Sequence, residues 1–361
     1  MRVSELALAL AQTNAGRRDE SRRGTRGRVR HGVVLTLVLA PLLAAQDHPC
    51  GGCHEKESAS QPHTNMAKAI TTAGQQQVLK KHPKWELDAN GFHYTVEAKD
   101  GINMYTVSDG ANSMTLPIRY AFGVGGAGQT FVFEYEGRFY ESMASYYAGL
   151  DRLAVTVGSE KLRPKTLVEA MGRLESDDEA ARCFNCHSTT GVIEGKVNLE
   201  TMRPGLQCER CHPGANAHRE ALNTGKEAAM PEHLGGLSAE DMAENCGSCH
   251  RTWETVLRMR TWGEVNVRFQ PYRLANSKCF LGNDARIKCT ACHDPHTELV
   301  RDDATYDSKC QACHGNTQKT CTVAEKNCVS CHMPKVELPG SYSVFTDHQI
   351  RIVRAGDRYP N

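Results

Sequence analysis

The sequence CERCHPGANAH, residues 208–218, begins with the pentapeptide that decides the fold, Cys-x-x-Cys-His, and ends on a further histidine. The same pentapeptide occurs seven times in the 361 residues. The copies are Cys50–His54, Cys183–His187, Cys208–His212, Cys246–His250, Cys289–His293, Cys310–His314 and Cys328–His332. They contain all but two of the 16 cysteines. So regular a repeat indicates one chemistry used seven times.

The pentapeptide is typical of covalent attachment of c-type haem. Its two thiols add to the vinyl groups of a porphyrin, and the adjacent histidine becomes the proximal ligand of the iron. Paired cysteines also form zinc sites, but zinc does not require a histidine after every second cysteine. The sequence therefore predicts seven covalently bound haem c groups. The predicted attachment cysteines are Cys50, Cys53, Cys183, Cys186, Cys208, Cys211, Cys246, Cys249, Cys289, Cys292, Cys310, Cys313, Cys328 and Cys331, and the predicted proximal ligands are His54, His187, His212, His250, His293, His314 and His332.

The sequence has few hydrophobic and aromatic residues for a core of this size. Hydrophobic residues make up 40% and aromatic residues 6%, with a mean hydropathy of −0.51. Porphyrins are large apolar discs, so we expect them to replace the missing side chains. The net charge of +1 argues against a general nucleic-acid binder, which would be markedly basic. The expected fold class is mainly α with a haem-filled core and little regular structure, plus a small antiparallel β insert after the first haem.

The N-terminal residues indicate export. Residues 32–45 form a short apolar run preceded by arginines, which is typical of a secretory signal cleaved before Gln46. Residues 1–45 are therefore predicted to be a signal peptide with a doubtful upstream extension; an N-terminal membrane anchor is the alternative. The segment carries eight basic and three acidic residues, so its removal changes the net charge from +1 to −4. We expect a periplasmic or extracellular protein with no membrane span in the mature chain.

The spacing of the motifs predicts three regions in the mature chain. Residues 46–80 are expected to form a helical segment around the first haem, and residues 81–182 a haem-free, β-rich insert. Residues 183–361 are expected to form a six-haem body whose C-terminal tail supplies a distal ligand. Within 150 residues of that body, six porphyrins would lie close enough for electrons to pass between them.

Local signals predict hairpins in the insert and capped helices in the body. Asn90-Gly91, Asp100-Gly101 and Glu136-Gly137 are typical hairpin turns between alternating strands. In the body, Ser238 begins a capped helix that runs towards Cys246, and residues 253–262 suit another. The glycine-rich residues 123–128 are interpreted as a turn, because no strand–loop–helix order supports a phosphate-binding loop.

Eight histidines outside the motifs and the signal segment compete for seven distal positions. A second histidine on each iron gives a six-coordinate haem suited to electron transfer, whereas a missing one leaves an open site. Four of them have a context that favours ligation. One lies on a predicted helix after a motif, two follow closely behind a motif, and one lies in a Thr-Asp-His sequence where Asp347 could orient the ring. The favoured distal ligands are His63, His218, His296 and His348. His93 is interpreted as a sheet residue, His48, His82 and His233 are undecided, and Met66 and Met333 are lesser alternatives.

Two cysteines, Cys279 and Cys321, lie outside the pentapeptides. In an oxidising compartment a disulfide between them is the favoured interpretation. Two separate free thiols are the alternative.

Several stretches resemble the multihaem cytochromes related to the cytochrome c-554 domain. They are residues 50–70 (CGGCHEKESASQPHTNMAKAI), 208–218, 288–296 (KCTACHDPH), 328–335 (CVSCHMPK) with 345–350 (FTDHQI), and the insert segment 120–158. The resemblance implies His63, His218, His296 and His348 as distal ligands, an electron-transfer role and export. No Cys-x-x-Cys-Lys occurs, which disfavours the lysine-ligated active haem of pentahaem nitrite reductases.

The favoured function is an exported seven-haem cytochrome that passes electrons between a protein donor and a protein acceptor, with no nucleic-acid partner. An oligomer or a membrane-associated complex is compatible with it. The alternative is an oxidoreductase that acts on a small nitrogen or sulfur compound at one five-coordinate haem. A subunit of an extracellular cytochrome filament is a third, minor hypothesis.

Overall fold

A computed structural model describes residues 49–360 except 74–76, 229, 232, 282–283, 316–320 and 322. The predicted signal peptide, residues 1–45, and His48 lie outside the described residues. Residues 48–361 form one compact unit. The three predicted regions are not tested by this division and stay a prediction.

The described strands begin beside the first motif and continue to the C-terminal tail. In chain order they are β1 (Ile70–Thr72), β2 (Lys84–Ala89), β3 (Phe92–Lys99), β4 (Ile102–Ser108), β5 (Ser113–Pro117), β6 (Tyr120–Phe122), β7 (Gln129–Tyr135), β8 (Arg138–Tyr147), β9 (Arg152–Val155), β10 (Gly172–Leu174), β11 (Val192–Ile193), β12 (Lys196–Val197), β13 (Lys335–Leu338) and β14 (Ser343–Thr346).

The described helices are short, and many consist of one or two turns. They are α1 (Glu55–Ser60), α2 (Gln77–Lys81), α3 (Leu167–Met171), α4 (Asp177–His187), α5 (Cys208–Cys211), α6 (Ala215–Asn223), α7 (Ala239–His250), α8 (Trp253–Met259), α9 (Gln270–Ala275), α10 (Lys278–Leu281), α11 (Cys289–Cys292), α12 (Asp307–His314) and α13 (Cys328–His332). Within the described part of the chain, none of them is both long and apolar enough to cross a membrane.

Strands β2, β3, β4 and β5 form an antiparallel meander in that order. Its first two turns are Asn90-Gly91 and Asp100-Gly101, as the sequence predicts. Each turn places both of its residues at positive φ, from 51° to 81°, a conformation that asparagine, aspartate and glycine adopt more readily than other residues. Glu136-Gly137 makes the same kind of turn between β7 and β8. The hairpin predictions are confirmed.

A second antiparallel sheet has the strand order β1-β6-β7-β8-β10, with β9 also paired to β8. It packs face to face on the meander, because buried residues of both sheets belong to one apolar cluster. The Tyr105 ring of β4 stacks on the Phe133 ring of β7, with 5.5 Å between ring centres. The Ala144 N–H of β8 also donates a hydrogen bond of 3.1 Å to the Tyr105 hydroxyl.

The predicted fold class is therefore wrong. The two sheets form the largest apolar core among the described residues, and they take strands from Ile70 to Leu174 rather than making a small insert. Two further two-stranded sheets lie in the body, β11-β12 and β13-β14. The chain is not mainly α, because several motif helices end after a single turn, which is all that a Cys-x-x-Cys-His attachment requires.

The six-stranded sheet also positions the second motif. Phe184 of α4 is buried against this sheet, and its ring lies 5.2 Å from the Tyr120 ring and 5.3 Å from the Phe122 ring. Three residues later, the His187 ring lies 5.1 Å from the same Phe122 ring. The contacts of Phe184 thus hold the end of α4, including the predicted proximal ligand His187, against the sheet.

The predicted helix starts in the body are close to the observed ones. The Ser238 hydroxyl accepts a hydrogen bond of 3.0 Å from the Asp241 N–H and begins α7, which ends on the fourth motif. The predicted helix at 253–262 is α8, which ends earlier, at Met259.

Candidate haem-binding sites

Each of the seven pentapeptides lies on a helical turn. The second to seventh lie on or at the ends of α4, α5, α7, α11, α12 and α13, and the first precedes α1. In the third, the His212 N–H donates to the Cys208 carbonyl at 2.8 Å, and His54 and His293 repeat this bond with Cys50 and Cys289. Residues three apart share one side of such a turn, so both thiols can reach the edge of one porphyrin. The predicted attachment residues therefore have the local geometry that haem c needs.

Hydrogen bonds from Nδ1 orient several of the histidines. His187 donates to the Ala69 carbonyl at 2.8 Å, His332 to the Arg351 carbonyl at 2.9 Å, and His348 to the Thr346 carbonyl at 3.0 Å. A proton held on Nδ1 leaves the lone pair on Nε2, the atom that binds iron, and makes the ring a stronger ligand.

Burial favours the neutral form of the His187, His293 and His348 rings. It lowers the pKa of His187 and of His293, and it lowers the pKa of His348 to about 4. A neutral imidazole is the form that binds a metal.

Two pairs of histidine rings have the spacing of a bis-histidine site. The ring centres of His212 and His296 are 6.2 Å apart with an interplanar angle of 9°, and those of His293 and His348 are 6.2 Å apart at 40°. Two metal–nitrogen bonds of about 2 Å, with about 1 Å more from each nitrogen to its ring centre, require about 6 Å. The donor set and its spacing therefore fit haem iron between each pair.

These pairs place two of the four predicted distal residues opposite a proximal histidine of another motif. His296 follows the fifth motif but faces the third, and His348 of the tail faces the fifth. His63 lies exposed in a 3-10 turn (Gln61–His63), and His218 is half-buried in α6. Their role as ligands stays a prediction.

The remaining described histidines outside the motifs fall into different settings. The His93 ring in β3 lies 2.8 Å from Asp88 and 3.6 Å from Glu86, using both ring nitrogens on the sheet surface, as a sheet residue would. The His82 ring packs on Trp85 at 4.8 Å, and its buried Nε2 has no hydrogen-bond partner among the described residues. His233 is exposed and precedes the 3-10 turn Leu234–Gly236.

Thiols of different motifs lie against one another. Four close pairs of them are Cys50 with Cys208, Cys186 with Cys249, Cys246 with Cys289, and Cys310 with Cys328. Cys211 lies near Cys246 and Cys249, and Cys292 lies near Cys310 and Cys313. These contacts connect the motifs in the order first, third, fourth, fifth, sixth and seventh, with the second attached to the fourth.

The predicted disulfide is not formed. Cys279 and Cys321 are both free thiols, the first half-buried in α10 and the second exposed. The Cys279 thiol instead lies near Cys292 of the fifth motif.

Sequence reasoning missed the groups that hold the histidines. The Ala69 and Arg351 carbonyls lie far along the chain from the rings they orient, and no local pattern indicates them. Asp347 was expected to orient the His348 ring, but Thr346 does so. The Asp347 carboxylate instead pairs with Arg273 and Arg351. The signal in the sequence was an aspartate next to a predicted ligand, but the sequence does not indicate that this aspartate pairs with Arg273 and Arg351.

Comparison with known proteins supports the chemistry of the motifs. Residues 172–251, which contain the second to fourth motifs, match the family described as cytochrome c7 and related cytochrome c. The solved structure of outer cell wall cytochrome OcwA has 16% sequence identity to this chain, with a TM-score of 0.48 over 84% of this chain and 79% of the other. No curated protein matches the sequence. The family match and the motifs support a multihaem c-type cytochrome that binds haem c covalently and transfers electrons with redox partners.

Proposed function

We propose that this chain is an exported seven-haem cytochrome that carries electrons through closely packed, mostly bis-histidine haems. The observation that carries the proposal is the spacing of His212 from His296 and of His293 from His348, 6.2 Å in both pairs. When bound, haem c supplies the one-electron chemistry, while the protein supplies spacing, axial ligands and burial.

The contacts between motifs support a continuous path. Each motif has an attachment cysteine close to one of another motif, so we expect porphyrins attached there to lie side by side. The path forks at the fourth motif and has three ends, at the first, second and seventh motifs. A redox donor and a redox acceptor would each dock near one of these ends.

Hydrogen bonds to backbone carbonyls fix the orientation of three proposed axial histidines. The rings of His187, His332 and His348 are held by backbone carbonyls, which do not titrate, so ligation is expected to survive a wide range of pH. Low-spin, six-coordinate haems exchange electrons without binding a substrate. This favours a carrier over the alternative oxidoreductase.

The deciding experiment is a carbon monoxide titration of the reduced holoprotein, combined with an EPR spectrum of the oxidised form. We expect seven haems per chain by mass, low-spin signals and no binding of carbon monoxide. A high-spin haem that binds carbon monoxide, and also nitrite or hydroxylamine, would contradict the carrier and support the oxidoreductase. The mass of the exported protein also tests the predicted cleavage before Gln46.

A further inference from the structure

Arg273 of α9 is a fully buried cation with a complete set of partners. Its Nε and Nη2 donate to the two carboxylate oxygens of Asp347 at 2.8 and 3.0 Å. The other donors reach Gln349 Oε1 at 2.7 Å, the Pro360 carbonyl at 2.7 Å and Asn266 Oδ1 at 3.3 Å. The five N–H groups of a guanidinium are therefore all used.

Most of these partners belong to the tail that follows β14. Asp347 additionally accepts hydrogen bonds from the Gln349 N–H at 3.0 Å and from Arg351 Nη1 at 2.6 Å. The ring of Tyr359 lies 4.4 Å from the guanidinium carbon of Arg273. Arg273 thus holds the tail, residues 347–360, against α9.

A second contact ties the tail to the same region. The Ser277 hydroxyl, which follows α9, donates to the His348 carbonyl at 3.2 Å and accepts from the Ile350 N–H at 2.8 Å. The backbone of His348 is consequently held on both sides, by Asp347 before it and by Ile350 after it.

The tail reaches two candidate haem sites. Its His348 ring lies opposite His293 of the fifth motif, and its Arg351 carbonyl accepts the Nδ1–H of His332 in the seventh motif. A buried ion pair is weak evidence for stability, since apolar residues of similar volume often replace it without loss. Its best-attested use is to select one arrangement of the chain, and here that arrangement includes an axial ligand and the hydrogen bond behind another.

We propose that Arg273, through Asp347, is a positioning residue for axial ligation at two neighbouring haems, those of the fifth and seventh motifs. The inference rests on the proposed function, because it takes His348 as a distal ligand. Loss of the ion pair would release His348 from the fifth haem and weaken the hydrogen bond that raises the basicity of His332.

The test uses the holoprotein with Arg273→Lys and Asp347→Asn, with His348→Ala as the reference. Lysine keeps the charge but lacks the two-pronged contact with a carboxylate. We expect each positioning variant to gain one haem that binds carbon monoxide when reduced, and to lose the same low-spin EPR component as His348→Ala. We also expect a shifted potential at one further haem. Arg119→Lys, which changes an exposed ion pair with Glu134, should leave the spectra unchanged.

The outcomes separate the inference from the proposed function. If His348→Ala gains no carbon monoxide site, His348 is not a ligand, and both the local bis-histidine assignment and the inference fail. If His348→Ala gains that site while the folded, fully loaded Arg273 and Asp347 variants do not, only the inference is overturned. Should those variants not accumulate, Ser277→Ala removes a single hydroxyl; partial binding of carbon monoxide supports the inference, and an unchanged spectrum overturns it.

Discussion

At the scale of single residues, Glu175 combines burial with crowding by other carboxylates. It is 6% exposed, and its Oε1 lies 3.0 Å from Arg173 Nη2. The same guanidinium serves Glu141 at 3.0 Å and Glu179 at 3.4 Å. Burial, together with the neighbouring carboxylates of Glu141 and Glu179, raises the pKa of Glu175 to about 7, although Arg173 opposes this effect.

Glu175 is therefore expected to make stability depend on pH. Its pKa is about 7 in the folded chain and about 4.5 when unfolded, so between these values the native state binds more protons. The free energy of unfolding then falls as pH rises through this window. Glu175→Gln should flatten the fall, measured as the thermal midpoint of the holoprotein between pH 5 and 8.

Glu134→Gln provides the matched control, because the Glu134 side chain is exposed on β7 and pairs only weakly with Arg119, at 3.9 Å. It should retain the pH dependence of the wild type. An unchanged slope in Glu175→Gln would show that the Glu175 carboxyl is ionised throughout this range in the native state.

The histidines show how far residue-level reasoning reaches. His296 and His348 could be selected from their context, since one closely follows a motif and the other follows an aspartate. Which proximal ring each one faces could not be predicted, because His296 lies opposite His212, 84 positions earlier, rather than beside its own motif. Such pairing depends on long-range packing that leaves no local pattern.

At the scale of elements, helix α7 connects a surface cap to the most connected motif. Ser238 caps the start, and Cys246, Cys249 and His250 occupy the last turns. Removing a serine cap typically destabilises a protein by about 1 kcal/mol, because a backbone N–H loses its acceptor. Ser238→Ala should therefore lower the free energy of unfolding, measured by chemical denaturation, by that amount while leaving the haem count unchanged.

Ser238→Thr is the control for this prediction, since threonine keeps a hydroxyl that can accept from the Asp241 N–H and donate to the Asp241 carboxylate. It should match the wild type in chemical denaturation. If Ala and Thr lower the midpoint equally, the hydroxyl contact with Asp241 contributes nothing, and another property of position 238 is responsible.

Long-range pairing of strands explains why the predicted fold class, mainly α with a small β insert, is wrong. The hairpin turns at 90–91, 100–101 and 136–137 could be predicted, because asparagine, aspartate and glycine determine them locally. The pairing of Ile70 with Phe122 and of Gly172 with Ser142 joins distant segments into one sheet. Without these pairings the alternating strands looked like a minor insert between haem motifs.

At the scale of the whole molecule, the contacts between motifs make the fourth one a junction. Its Cys249 lies close to Cys186 of the second motif, and its Cys246 lies close to Cys289 of the fifth. Cys211 of the third motif lies near both of these junction cysteines. Cys50 of the first motif lies close to Cys208 of the third.

The junction predicts that loss of the fourth haem disrupts electron transfer among the remaining haems. Replacing Cys246 and Cys249 with serine removes the attachment of the fourth haem and separates the second haem, the first and third haems, and the fifth to seventh haems. After flash photoreduction, the wild type should redistribute electrons over all haems in one fast process. The junction variant should show slower, separate phases.

Replacing Cys50 and Cys53 with serine also removes one haem, but at an end of the path. This control should keep a single fast redistribution over the six that remain, because no other pair of motifs loses its connection. Equal slowing in both variants would contradict a forked path centred on the fourth motif. It would indicate instead that electrons cross between motifs whose thiols do not touch, so that porphyrin contacts away from the attachment cysteines determine the route.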